Sequence, residues 1–219
     1  MIIAERKSLE EIRQELAPYK RVLVAGCATC VAVCWAGGEK EVGILASELR
    51  LARDAEGNEI VTSEATVERQ CEKEMIEELS EQVAQVDAVL SLACGAGVQT
   101  MAERFEDKPV LPAVNTTFIG MPETEGLWVE MCGACGDCLL DRTGGVCPMV
   151  RCAKGLLNGP CGGTRKGGKC EIDPDKDCGW VLIYRRLEKQ GRLDLMREYY
   201  SPKNYRAVKR PGRVQAARA

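Results

Sequence analysis

Thirteen cysteines and no histidine stand in this chain of 219 residues, and that pairing narrows its chemistry at once. Without an imidazole there is no Ser–His–Asp or Cys–His catalysis, no HExxH zinc site and no His-ligated haem. An odd number of thiols cannot pair completely into disulfides, and a reducing cytosol disfavours them anyway. Metal ligation is the use of so many thiols that fits. The cysteines fall in two groups. The first is Cys27-x2-Cys30-x3-Cys34 with Cys71 and Cys94, five candidates for a four-ligand site. Cys27, Cys30, Cys71 and Cys94 are the preferred ligands. Cys34 is either a further ligand or a small core thiol, as free cysteines often are.

The second group is denser: Cys132-x2-Cys135-x2-Cys138-x8-Cys147-Pro148, then Cys152, Cys161, Cys170 and Cys178. A C-x2-C-x2-C run lets one tight loop wrap a cube of iron and sulfide with three thiolates, its backbone N–H groups turned toward the sulfurs. The ferredoxin run begins in this way and closes on a fourth cysteine followed by proline. Here that fourth cysteine arrives after eight residues instead of three, so the match is partial. Eight thiols make two four-ligand sets, for iron–sulfur clusters or, in part of the region, for zinc held by four thiolates. Two or three 4Fe-4S clusters are expected in the whole chain, with zinc as the alternative in the second group.

The elements that must position these thiols change character along the chain. Ser8-Leu-Glu-Glu11 has the form of a capping box before a helix with Leu9, Ile12 and Leu16 on one side. An apolar run ending in Gly26-Cys27 reads as a buried parallel strand. Helices are expected over 38–52, 72–85 and 95–105, and strands over 57–66, 86–94 and 109–114. That alternation predicts an α/β fold with a small parallel sheet, Rossmann-like, over residues 1–126. Cys27 and Cys94 then fall at carboxyl ends of strands, where open α/β sheets bind ligands. Cys71 and Cys94 also precede predicted helices, whose free N–H groups and dipole favour anionic, thiolate-bound groups. Residues 127–180 form a loop-rich, cysteine- and metal-held domain, with ten glycines and eight cysteines between 132 and 178. Residues 181–219 make a helix, broken near Gly191, and a basic tail.

Composition sets further bounds. Hydrophobic residues at 45% and charged residues at 29% describe an ordinary globular chain. No apolar run approaches the roughly 20 residues that span a bilayer, so no membrane insertion is expected. The charged, amphipathic start has no secretory signal pattern, and a cytoplasmic setting is expected. A net charge of −3 gives no sign of a nucleic-acid partner. The tail SPKNYRAVKRPGRVQAARA carries six Lys/Arg and no acid; it reads as a solvated end or as a dock for an acidic partner. Tyr184, Leu187, Leu195 and Tyr199 recur as a stripe, either core or partner surface. Two nucleotide-like signals fail. Gly95-Ala-Gly97-Val-Gln-Thr100 lacks its third glycine, and Gly163–Lys169 is followed by Cys170 where a P-loop needs Ser or Thr. Cys27-Ala-Thr-Cys30 has CxxC form but not the setting of a thioredoxin-like site.

Three longer motifs carry a resemblance: Thr143-Gly-Gly-Val-Cys147-Pro148, Cys152-Ala-Lys-Gly-Leu-Leu-Asn-Gly-Pro-Cys161-Gly-Gly, and Cys178-Gly-Trp180. They resemble the cysteine-rich methylenetetrahydrofolate reductase C-terminal domain. With GCATCVAVCWAGGEKEV (26–42) before them, the chain is similar to the small, MetV-type iron–sulfur subunit of the reductases of acetogenic bacteria, over roughly residues 20–205. The resemblance implies a non-catalytic electron-transfer subunit, with further electron-transfer subunits among the partners it admits. Its partner would be a flavin-containing catalytic subunit that holds FMN and folate and reduces 5,10-methylenetetrahydrofolate to 5-methyltetrahydrofolate. The alternative is a zinc-stabilised structural adaptor of the same flavoprotein. Lys154, Asn158 and Gly162, between the cysteines, are candidates for second-layer donors or for turn formation.

Overall fold

The structure, a computed structural model, describes residues 1–208 and 211–214. Its first strand, β1 (Ile2–Arg6), leads to helix α1 (Leu9–Leu16), capped by Ser8, whose Oγ accepts the Glu11 N–H at 3.2 Å. Strand β2 (Arg21–Cys27) is followed by the one-turn helix α2 (Cys30–Val33) and the long helix α3 (Glu39–Ala55). Next come β3 (Val61–Val67), the short helices α4 (Lys73–Ile76) and α5 (Ser80–Ala84), β4 (Ala88–Ser91), α6 (Gly95–Arg104) and β5 (Val110–Pro112). A hairpin of β6 (Val114–Thr124) and β7 (Leu127–Cys132) follows, then α7 (Pro148–Arg151) and α8 (Gly179–Lys189).

Strands β3-β2-β4-β5 form a four-stranded parallel sheet in that order. All four residues of β4 and six in a row of β2 are buried, as a sheet covered on both faces requires. Alternate side chains serve the two faces. Val22, Val24 and Leu90 pack with Ile12, Leu16, Leu45 and Leu49, while Leu23, Ala25 and Val89 pack with Ile76, Val83 and Met101. The expected α/β class is therefore what the chain adopts.

Three features differ from the sequence expectation. Strand β1 pairs antiparallel with β6, and with β7 they make a second, three-stranded sheet. Local pattern could not reveal β1, because its partner lies more than a hundred residues away. The helix expected over 72–85 is broken by a 3-10 turn at Glu77–Leu79, where the Ser80 hydroxyl donates to the Glu77 carbonyl at 2.7 Å and competes with the helical ladder. The strand expected to close near 114 continues after Ala113 as the hairpin.

The chain divides into two compact units, Met1–Val129 and Glu130–Ala219. The second has little regular structure. Its core is small: Val146, Cys178, Trp180, Ile183 and Leu187, with Leu193, Leu195 and Met196 packed against it. Helix α8 stops at Gly191 (φ 66°), where the Gly191 N–H bonds the Glu188 carbonyl and the Arg192 N–H bonds that of Leu187, the paired pattern of a Schellman ending. Of the apolar stripe, Leu187 is fully buried and Leu195 is core-facing, whereas Tyr184 and Tyr199 are exposed. No helix among the described residues is long and apolar enough to cross a membrane.

Candidate metal centres

In the first unit, four of the five thiols belong to segments that meet at the carboxyl edge of the parallel sheet. Cys27 ends β2 and is buried, its Sγ 3.6 Å from both the Thr29 hydroxyl and the Glu68 carbonyl. Cys30 opens α2, one turn on. The loop back to the sheet passes so close to β4 that a Cβ on Gly37 would stand 1.9 Å from the Leu92 carbonyl. Only glycine fits there, and the Gly37 carbonyl in turn accepts the Cys27 N–H at 2.9 Å. Cys94 is the N-cap of α6. Cys71 is exposed, in the turn after β3 and one residue short of the position that begins the helical cap.

What fixes Cys71 is its neighbour. Gln70 is completely buried, its amide donating to the Ala25 and Gly26 carbonyls, both at 2.9 Å, and its carbonyl accepting the Ser91 hydroxyl at 2.6 Å. One side chain thereby pins the turn to the ends of β2 and β4. Burial pushes the Cys71 thiol above its ordinary value, as the fields of Cys27 and Cys94 also do. A cationic metal group would reverse that penalty by neutralising them. Cys34 bonds into the core. Its Sγ donates to the Ala4 and Val31 carbonyls, both at 3.5 Å, within the apolar core, and burial pushes its thiol up.

In the second unit the Cys132–Cys138 loop follows β7. The Ala134 N–H points at Cys132 Sγ from 3.4 Å, and Ala134 takes φ 48°, a left-handed conformation. Burial pushes the Cys135 thiol up, yet a backbone hydrogen bond at Asp137 and the Lys203 ammonium outweigh it and leave the group below its usual value. Cys147 is the N-cap of α7.

The last four thiols come together. Cys152, Cys161, Cys170 and Cys178 line one cavity of about 20 Å³, closed also by Thr164, Gly179 and Trp180. The Gly163 N–H reaches Cys161 Sγ at 3.4 Å, repeating the geometry at Cys132, and the Thr164 hydroxyl stands 3.5 Å from Cys178 Sγ. Backbone hydrogen bonds at Asp173 and Ile172 hold the Cys170 thiol below its ordinary value. Trp180 is held by its indole N–H to the Leu156 carbonyl at 3.0 Å. Hydrogen bonds aimed at sulfur and a four-thiol lining suit a thiolate-bound metal group. Among the described residues, no three Cys, Asp or Glu side chains are arranged to hold a single metal ion as they stand. Thiolates sharing one zinc stand about 3.8 Å apart by tetrahedral geometry, whereas each thiolate on an iron–sulfur cube holds a different iron.

Residues 111–206 match the family model described as "Methylene-tetrahydrofolate reductase C terminal". No curated protein and no solved structure matches the chain. The matched segment holds all eight cysteines of the second group and none of the first five. It fits association with a methylenetetrahydrofolate reductase.

Three positioning residues escaped the sequence reading. Gln70 and Thr164 sit beside cysteines, yet no spacing rule singles out such neighbours. Lys203 lay in the tail read as a solvated end or a dock, but its side chain is only 1% exposed and bonds the Asp137 carbonyl at 2.6 Å. Lys209, Arg210 and Arg218 of that tail lie outside the described residues. Of the candidate donors, Lys154 pairs with Glu171 at the four-thiol cavity. Asn158 instead ties both sides of its amide to the Tyr200 backbone, and Gly162 makes the turn that presents the Gly163 N–H.

Proposed function

We propose that this chain is an iron–sulfur electron-transfer subunit of a methylenetetrahydrofolate reductase. The observation that supports it most is the four-thiol cavity of Cys152, Cys161, Cys170 and Cys178 inside the reductase-like segment. Three ligand sets follow: Cys27, Cys30, Cys71 and Cys94 in the first unit, then Cys132, Cys135, Cys138 and Cys147, then the cavity four. Cys34 is a core thiol and not a ligand. 4Fe-4S clusters bound there would supply one-electron carriage toward an FMN on a separate catalytic subunit, where 5,10-methylenetetrahydrofolate is reduced to 5-methyltetrahydrofolate. The work of this chain's own residues is to hold thiolates, aim N–H groups at sulfur and keep the groups partly out of water. A cytoplasmic setting suits such oxygen-sensitive ligation.

A second reading rests on the cavity's size. About 20 Å³ is room for little more than one water-sized body, which suits one zinc at the cavity four, once the sulfurs draw in from their present spacing, with clusters at the other two sets. Iron, acid-labile sulfide and zinc per chain, measured on anaerobically purified protein with an EPR spectrum after dithionite, separate the two. About twelve irons with matching sulfide mean three clusters, and about eight with one zinc mean the mixed set. Protein with zinc and no iron overturns the electron-transfer role and leaves a structural adaptor.

A further inference from the structure

The tail returns to the Cys132–Cys138 loop and places a buried cation there. Lys203 is 7% exposed as a residue and 1% at its side chain. Its Nζ donates to the Asp137 carbonyl at 2.6 Å, and Cys135 Sγ lies 3.7 Å from that same carbonyl. Ammonium and sulfur thus converge on one oxygen in the middle of the three-cysteine run. Asp137 Oδ2 stands 3.8 Å from Nζ and accepts the Tyr200 hydroxyl at 2.7 Å, so Asp137 is a partly exposed counter-charge. The neighbouring turn is fitted to this arrangement, since a Cβ on Gly136 would meet the Ala207 carbonyl at 2.9 Å. A lysine is almost never buried without a charged or strongly polar partner. Asp137 is that partner through both its carbonyl and its carboxylate, and the sulfur at Cys135 shares the same carbonyl.

We propose that Lys203 is the positioning cation of the Cys132–Cys138 metal centre and sets its reduction potential above the value the thiolates alone would give. The inference rests on the iron–sulfur reading above. Adding one electron makes a thiolate-bound cluster more negative, and a fixed ammonium beside one of its ligands favours that reduced form. The Lys203 side chain is buried, so its charge is screened less than that of a surface lysine, while Cys132 and Cys138 themselves are exposed.

The test is an EPR-monitored dithionite titration of the full chain as wild type and as Lys203→Met, Lys203→Arg and Asp137→Asn. Lys203→Met is expected to shift one centre's one-electron equilibrium toward the oxidised form about tenfold, or about 59 mV downward, leaving the other centres unmoved. Lys203→Arg keeps the charge and stays near wild type. Asp137→Asn removes the opposing charge and moves the same centre upward. Opposite signs from two substitutions at one loop cannot come from loosened packing, and Lys203→Gln, with the same expected downward shift, stands in if Lys203→Met fails to fold. Full iron content with an unmoved potential in Lys203→Met, or a downward shift in Asp137→Asn, overturns this inference alone. Wild-type protein without iron overturns it together with the proposed function.

Discussion

Replacing Gln70 by leucine should cost stability and, on the proposed ligation, the first unit's metal. The amide makes three hydrogen bonds from a fully buried position, to the Ala25 and Gly26 carbonyls and from the Ser91 hydroxyl. Leucine has similar volume, so the cavity contribution is small and the polar loss stands out. Three neutral bonds at about 1 kcal/mol each give about 3 kcal/mol. The Ala25 carbonyl keeps its bond from the Leu92 N–H, which guards against a larger loss, while the Ser91 hydroxyl is left buried without its acceptor. For a chain of this size that loss lowers the melting temperature by roughly 6–12 °C. Urea denaturation of Gln70→Leu, Ser91→Ala and the double variant supplies the stricter check. The two residues share one bond, so the cycle should show a coupling of about 1 kcal/mol, well above the ~0.5 kcal/mol scatter of independent sites. Because Gln70 anchors the turn that carries Cys71, the variant should also retain less iron than wild type. A loss below about 1 kcal/mol, or a cycle that is additive, would refute the view that this one side chain holds the turn to the sheet.

Cys34 and Cys71 should separate core from ligand. Cys34→Ala removes a buried sulfur and costs about 1 kcal/mol with iron unchanged, whereas Cys71→Ala, at an exposed position, leaves metal-free stability within about 0.5 kcal/mol and loses one centre's iron; elemental analysis beside urea melts reads both. Asp87 is held down to about 2 by hydrogen bonds from the Arg21 side chain and backbone. The sign follows from a depressed carboxyl: its stabilisation is complete above the ordinary value of 3.8 and is lost as pH falls through about 2. Urea midpoints taken from pH 5 downward should therefore fall less steeply in Asp87→Asn than in wild type. On the proposed ligation, stripping metal with a chelator should loosen Glu130–Ala219 before Met1–Val129, because five residues make most of the second unit's core and thiolate-bound metal would replace the rest; limited proteolysis that cut the first unit first would contradict this.

The parallel sheet was legible because its signals are local. Six buried residues in a row at β2, the Ser8 cap and the apolar spacing of α3 each lie within one segment, and the carboxyl-edge rule then brought Cys27 and Cys94 to one side. Cysteine spacing and the lack of histidine likewise gave the proposed metal chemistry from composition alone. What the sequence could not disclose depends on groups far apart along the chain. Strand β1 is a strand only because β6 offers it a partner. The sorting of eight similar thiols into Cys152, Cys161, Cys170 and Cys178 around one cavity depends on how loops without periodicity close. The sulfur of Cys34 turns to the Ala4 carbonyl inside the core. Lys203 became a buried cation because the tail folds back over the cysteine loop. A sequence carries residue types and their spacing, while burial and the direction of a side chain are set by contacts between distant segments, and those exist only once the chain has folded.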